Sequence, residues 1–188
     1  MIIFTKEYID EYKKDIFKRI KSGQVFVYPT DTIYGLGCDA RNERAVEKIR
    51  KIKKRHDKPF SILVPSIEWI LRNCEIDEKW LEKLPGPYTF ILKLKNKNCV
   101  AKNVNNGMKT VGVRFPNHWI SEFFQYIKIP IITTSVNLSG EKYMISINDL
   151  DERINSQVDF MIYEGIKEGS PSHVVDLTSG KPKILRKP

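Results

Sequence analysis

At 188 residues and 41% hydrophobic content, the chain is long enough for one domain with a real core, and its composition argues against disorder. Its net charge of +9 favours an anionic partner such as nucleotide, phosphate or nucleic acid, although scattered lysines also serve solubility. No apolar run approaches the roughly 20 residues of a membrane span, and the N-terminal MIIFTKEYIDEYKK lacks a signal-peptide pattern, so a cytoplasmic protein with no membrane partner is expected.

Taken in order, Thr5 can cap a helix over about residues 6–22, with Ile9, Tyr12, Ile16 and Ile20 at helical spacing and Ser22-Gly23 as its end. Residues 24–28 read as an apolar strand running into YPTDTIYGLGCDA. There Pro29 fixes one backbone angle, Gly35 and Gly37 permit tight folding or close approach to a ligand, and Thr30-Asp31-Thr32 present short polar side chains. Ligands in open α/β sheets sit at such strand ends; a capped Pro/Gly turn is the other reading. Asn42 caps a second helix with Val46, Ile49 and Ile52 on one face and a basic last turn, Lys51, Lys53, Lys54 and Arg55, that complements the helix dipole.

Phe60–Val64 reads as a strand, 67–72 and 77–84 as helices, and Pro85-Gly86-Pro87 as a rigid turn into strand 89–94. The Lys- and Asn-rich stretch 95–109 reads as a flexible loop. Strand 110–114, helix 117–127 and strand 131–135 follow. A helix near 147–155, strand 158–163, a Gly/Ser loop over 165–172 and strands 173–177 and 183–186 complete the chain. Interleaved strands and helices predict an α/β or mixed α+β sheet.

Polar clusters fall at the ends of these elements. Lys53 and Arg55 can reach one ligand together, a point charge beside a planar fork, or form a solvated basic face. Arg114 closes the apolar run Val111-Gly112-Val113. A guanidinium there needs an anion, either a substrate carboxylate or an internal Asp or Glu. Thr133, Thr134, Ser135 and Asn137 supply hydroxyls and an amide past an apolar strand, suited to phosphates or to a capped turn. Asp31 fits a base, a ligand to a metal-bound water, or an Asx turn. Cys38, Cys74 and Cys99, with His56, His118 and His173, show no metal-ligand spacing, so no metal-binding residues are assigned. The common phosphate-cradle and hydrolase motifs are absent.

PTDTIYGLGCDA, IKKR…KPFSILV, PGPYTFIL, TVGVRFP, ITTSVNLSG, SHVVDL and ILR occur in that order from about Gln24 to Arg186. Together they resemble the YrdC-type family of threonylcarbamoyl-AMP synthases, in its short, single-domain form over residues 1–188. The resemblance implies a twisted mixed sheet flanked by helices with a deep positive cleft, a YrdC/RibB-like α/β fold. It implies a nucleotidyltransferase that joins L-threonine, bicarbonate (or CO2) and ATP, with Mg²⁺, into threonylcarbamoyl-adenylate and pyrophosphate. The product would feed N6-threonylcarbamoyladenosine at tRNA position 37 through separate tRNA-modification proteins.

By motif position, the resemblance places Lys53 and Arg55 on the ATP phosphates as the catalytic pair. Lys58, Thr110, Ser135, Asn137, Tyr143 and Arg186 fall on the nucleotide side, and Thr32, Arg114, Thr133 and Ser172 on the threonine side. The chain departs from the family in a loop one residue shorter after Arg55, an apolar residue near Leu63 where a threonine-side His is usual, His173 in place of Thr, and an ILRKP ending. The YciO-like branch is an alternative within the family, but it tends to lose the Lys-x-Arg and Ser-x-Asn pairs that this chain keeps. A non-catalytic module binding tRNA or double-stranded RNA is the other alternative. Its affinity would fall steeply with salt, and no aromatic RNA-reading signature supports base-specific recognition.

Overall fold

The computed structural model describes residues 1–188. The chain opens with a strand ahead of the helix expected over 6–22: β1, Ile2–Thr5, pairs in parallel with a late strand. A single 3-10 turn, Lys6–Tyr8, then precedes α1, Lys13–Lys21, which buries Ile16 and Ile20. The β-branched Ile2, Ile3 and Thr5 suit a sheet edge, and the partner that captures them lies far along the sequence.

Next come β2, Phe26–Tyr28, and β3, Gly35–Gly37. The two glycines expected to make a tight loop are therefore a strand, antiparallel to β2. The reason is close packing. A Cβ on Gly37 would stand 2.6 Å from Cε1 of Tyr28 and 2.7 Å from the carbonyl oxygen of Ile132. The Tyr28 ring lies fully buried, and its hydroxyl donates to that same carbonyl at 3.1 Å.

α2, Glu43–Lys53, starts where Asn42 accepts from the Ala45 amide, and ends on Lys54 in the left-handed region. β4 (Ser61–Leu63), α3 (Ile67–Asn73), β5 (Cys74–Glu75) and α4 (Glu78–Leu81) follow. The last is only one turn of the helix expected over 77–84. β6 (Tyr88–Leu94), β7 (Thr110–Arg114), α5 (Trp119–Gln125, capped by His118) and β8 (Ile131–Ser135) match the expected order. The helix expected near 147–155 divides into a 3-10 turn, Ile147–Asp149, and the short α6, Glu152–Asn155. Ser146 and Asp151 each cap their own short turn, which stops one helix from running through. β9 (Phe160–Tyr163), β10 (His173–Asp176) and β11 (Lys183–Arg186) close the fold.

The strands form one mixed sheet in the order β1-β9-β2-β3-β8-β4-β7-β6-β10-β11, with β5 paired to β6. Two cores pack on it. The larger joins α2 to residues of the central strands, among them Ile49, Ile62, Phe90, Val113 and Ile132. The smaller is aromatic-rich, with Phe26 stacked on Phe160 at 4.9 Å beneath α1 and α5. No helix is long and apolar enough to cross a membrane.

Because backbone surrounds the missing Gly37 side chain, Gly37→Ala is expected to cost about 1–3 kcal/mol by overpacking. Urea unfolding measures it, and a variant as stable as the parent would show that β3 shifts to make room.

Candidate functional site

Side chains alternate along a strand, so every second residue shares a face. One face of the central strands carries Thr110, Gly112 and Arg114 of β7, Thr89 and Ile91 of β6, Ser61 of β4, and Thr133 and Ser135 of β8. All of them line one cavity of about 460 Å³, within the usual range for small-molecule sites. Facing residues such as Ile62, Phe90 and Val113 turn the other way, into the larger core. Small and polar side chains on the cavity face leave the concavity that large apolar ones would fill.

Three arginines reach this cavity. Arg114 is buried and donates to Asp31 Oδ1 at 2.7 Å and to Thr32 Oγ1 at 3.1 Å. Asp31 is therefore an internal counter-ion, and it also accepts the Asn117 amide. Burial pulls the Arg114 pKa below the ordinary arginine value, and Asp31 opposes that. Its Nε is buried without a partner. Arg55 stands over the Phe60 ring at 5.1 Å and donates to the Pro59 carbonyl at 2.6 Å, and its Nε too is buried and unpaired. Arg186 comes from the edge strand β11. It donates to the Ser172 carbonyl at 2.9 Å and to Ser172 Oγ at 3.1 Å, and that hydroxyl shares a hydrogen bond with Thr89 at 2.7 Å.

Thr32, Arg55, Thr110, Arg114, Thr133, Ser135, Asn137, Tyr143, Ser172 and Arg186 thus meet around one space. Lys53 and Lys58 do not line it. Lys58 is exposed, and its carbonyl faces inward toward Arg50. Lys53 is 1% exposed, and its Nζ donates to the carbonyls of Ser135 (2.6 Å) and Asn137 (2.8 Å) and to Asn137 Oδ1 (2.9 Å). Burial, with the Arg55 charge second, pulls its pKa down from 10.5 to about 7, while the three oxygens favour the ammonium. An ammonium has three donors, so none is left for a phosphate. In this structure Lys53 braces the Ser135–Asn137 turn, where Ser135 Oγ donates to Asn137 Oδ1 at 2.6 Å.

The Gly/Ser loop expected over 165–172, together with Tyr143, walls the cavity. Gly169 crosses Thr32 so closely that a Cβ would lie 1.8 Å from the Thr32 carbonyl oxygen, and Tyr143 donates to the Gly169 carbonyl at 3.0 Å. The near end of that wall is pinned by Glu164, which accepts from Trp119 Nε1 and Lys167 Nζ at 2.5 Å each and bonds His118 Nε2 at 2.9 Å. Tyr34 ties the same point, accepting the Glu164 amide and donating to the Gly165 carbonyl. Glu164, Trp119, Lys167 and Tyr34 carry no role in the sequence pattern, and His118 was weighed there only as a metal ligand.

Residues 18–188 match the Sua5/YciO/YrdC family, described as "Telomere recombination". The chain is 32% identical to the threonylcarbamoyl-AMP synthase of Pyrococcus abyssi over 99% of its own length and 57% of that protein's. The structure of P. abyssi Sua5 complexed with L-threonine superposes with a TM-score of 0.87 at 30% identity, covering 98% of this chain and 56% of that one. An uncharacterized Escherichia coli (strain K12) protein, YciO, is 30% identical over 89% of this chain and 84% of its own. The chain therefore spans somewhat over half of the Pyrococcus protein and most of YciO.

Burial alone would raise the Glu164 carboxyl, but the hydrogen bonds from His118, Lys167 and Trp119 outweigh it and bring it from 4.5 to about 2. A carboxyl depressed in the folded state adds stability above its unfolded pKa and loses it as pH falls through the folded one. The stability advantage of the parent over Glu164→Gln is thus expected to shrink between about pH 4.5 and about pH 2. A difference flat across that window in thermal unfolding would remove Glu164 as the anchor of this wall.

Proposed function

The chain belongs to the Sua5/YciO/YrdC family, and on that premise we propose that it is an L-threonylcarbamoyladenylate synthase, a nucleotidyltransferase using ATP. The observation that carries this reading is the pair of buried, unpartnered guanidinium Nε atoms, Arg55 and Arg114, at one cavity. A donor buried without an acceptor costs about 1–3 kcal/mol, so the fold keeps such groups where a ligand supplies the oxygen. Two of them in one space suit two anions, a carboxylate and a polyphosphate.

In this reading Arg114, already oriented by Asp31, takes the threonine carboxylate, and Thr32, Thr133 and Ser172 order the rest of the amino acid. Arg55, Arg186, Thr110, Ser135, Asn137 and Tyr143 take the nucleotide. The threonine amine adds to bicarbonate-derived CO2 and loses a proton, giving a carbamate. A carbamate oxygen then attacks the α-phosphorus, and the bond to the β-phosphate oxygen breaks to release pyrophosphate. The protein contributes position and positive charge, with no covalent intermediate.

Mg²⁺ belongs to the expected chemistry as a neutraliser of phosphate charge. No group of three or more His, Cys, Asp or Glu side chains gathers in the structure, and Asp31 is engaged by Arg114. A cation would therefore be carried by the triphosphate's own oxygens, with hydroxyls such as Ser135 within the same lining. The product would pass to tRNA-modifying proteins as the activated threonylcarbamoyl donor.

Retention of Ser135, Asn137 and Lys53 as one bonded unit favours the synthase over a YciO-like role. Pyrophosphate release from ATP is expected to require both threonine and bicarbonate. Arg55→Ala is expected to lower kcat/KM for ATP by about tenfold or more, the worth of one charge-assisted hydrogen bond. ATP turnover indifferent to threonine would overturn the assignment, and full activity in Arg55→Ala would remove Arg55 from it.

A further inference from the structure

Arg50 lies outside the cavity lining, near the end of α2, and is 4% exposed. Every polar partner it has is an uncharged oxygen. Its Nη1 donates to the carbonyls of Arg55, His56 and Lys58, each at 3.1 Å. Its Nε and Nη2 donate to the Asn103 carbonyl at 2.9 and 2.5 Å, and Nη2 also reaches Asn106 Oδ1 at 2.8 Å. One planar fork thereby holds two segments that are remote in sequence, 55–58 and 103–106. Two further bonds tie the same pair together: Asn106 Nδ2 donates to the Asp57 carbonyl at 2.9 Å, and the Phe60 amide to the Val104 carbonyl at 2.8 Å. The Phe60 ring sits under both guanidiniums, 4.7 Å from Arg50 and 5.1 Å from Arg55.

Each segment leads directly into the cavity wall. The first carries Arg55, Pro59 and Phe60, and the second continues to Met108 and Thr110. Asn105 extends the grip, donating to the Met108 and Thr110 carbonyls. By contrast, Thr32, Arg114, Thr133 and Ser172 stand on elements that make no hydrogen bond to Arg50.

We infer that Arg50 is a positioning residue for the nucleotide half of the site. It fixes the Arg55 segment against the Thr110 segment so that both meet one polyphosphate. This rests on the synthase reading above. Lysine cannot substitute, because a single ammonium on a flexible stem cannot span two segments with a planar fork. Arg50→Lys keeps the charge and removes the span. Asn106→Gly removes the exposed side-chain tie while preserving the backbone, since Asn106 has φ 55°, which glycine adopts without strain.

The test measures ATP and threonine affinities separately by calorimetry on the full chain, with hydrogen exchange of the amides in both segments. Arg50→Lys is expected to weaken ATP binding about tenfold and Asn106→Gly about threefold, each leaving threonine affinity within about twofold. Exchange should quicken in both segments together in each variant. Unchanged ATP affinity in Asn106→Gly despite faster exchange, or equal loss of both ligands in Arg50→Lys, would overturn the inference. A parent protein that binds threonine but no ATP would overturn the synthase reading itself, an outcome distinct from either of those.

Discussion

A cation taken out of water must find oxygen, and in this fold α2 supplies two such cations where no carboxylate makes contact with them. Arg50 and Lys53 are both nearly inaccessible, and both are satisfied by backbone carbonyls and asparagine amides. The penalty for burying a charge is offset only if every donor is met. The loops around α2 therefore have little choice of shape, since their carbonyls must turn inward at particular residues. Lys53 in this way fixes the turn after β8, and Arg50 fixes the turn after α2 together with the approach to β7. The basic last turn of α2 also answers the helix dipole, so the cations are placed favourably before they meet their loop partners.

The cavity follows from the sheet that these braces trim. Strands β8, β4, β7, β6 and β10 lie side by side, and the residues they show to the cavity are mainly threonine, serine, glycine and arginine, with Ile91, Val111 and Val174 among them. Apolar burial forgone on that face is made up on the other, where α2 covers the larger core, and at the far end of the sheet, where stacked Phe26 and Phe160 anchor the smaller one. Close crossings complete the enclosure. Gly37 lets Tyr28 lie flat against β3, and Gly169 lets the wall over 165–172 touch Thr32.

Much of this was legible in the sequence, and the failures share a cause. The order of the central elements, the Asn42 cap and the gathering of Arg114, Ser135, Ser172 and Arg186 all followed from local pattern and motif order. β1 was missed because its partner is remote in sequence, Ile2 opposite Phe160, and β3 because two glycines signal a turn, although it pairs with the nearby β2 as well as with the remote β8. The carbonyl partners of Lys53 were not legible, because a basic cluster on an amphipathic helix looks the same whether water or carbonyls receive it. Arg50 escaped notice for a related reason, since its acceptors are main-chain oxygens, which carry no residue identity. The Arg114–Asp31 pair was one of two readings left open, and a sequence separation of 83 hid it.

The two readings of Arg114 turn out not to exclude each other. Asp31 neutralises one edge of the guanidinium and fixes its plane, and that leaves Nε without an acceptor. Around it the other cations add strain of their own. Burial and the Arg114 charge lower the pKa of Arg186, and burial and the Arg50 charge lower that of Arg55. Each guanidinium thus raises the cost of keeping its neighbours charged, while arginine cannot shed its proton to escape. An anion held between Arg114 and Arg186 would offset both charges together. On α2 the two effects meet in one residue, since Arg50 adds to the charge that opposes Arg55 while its hydrogen bonds to the Arg55, His56 and Lys58 carbonyls hold that segment in place.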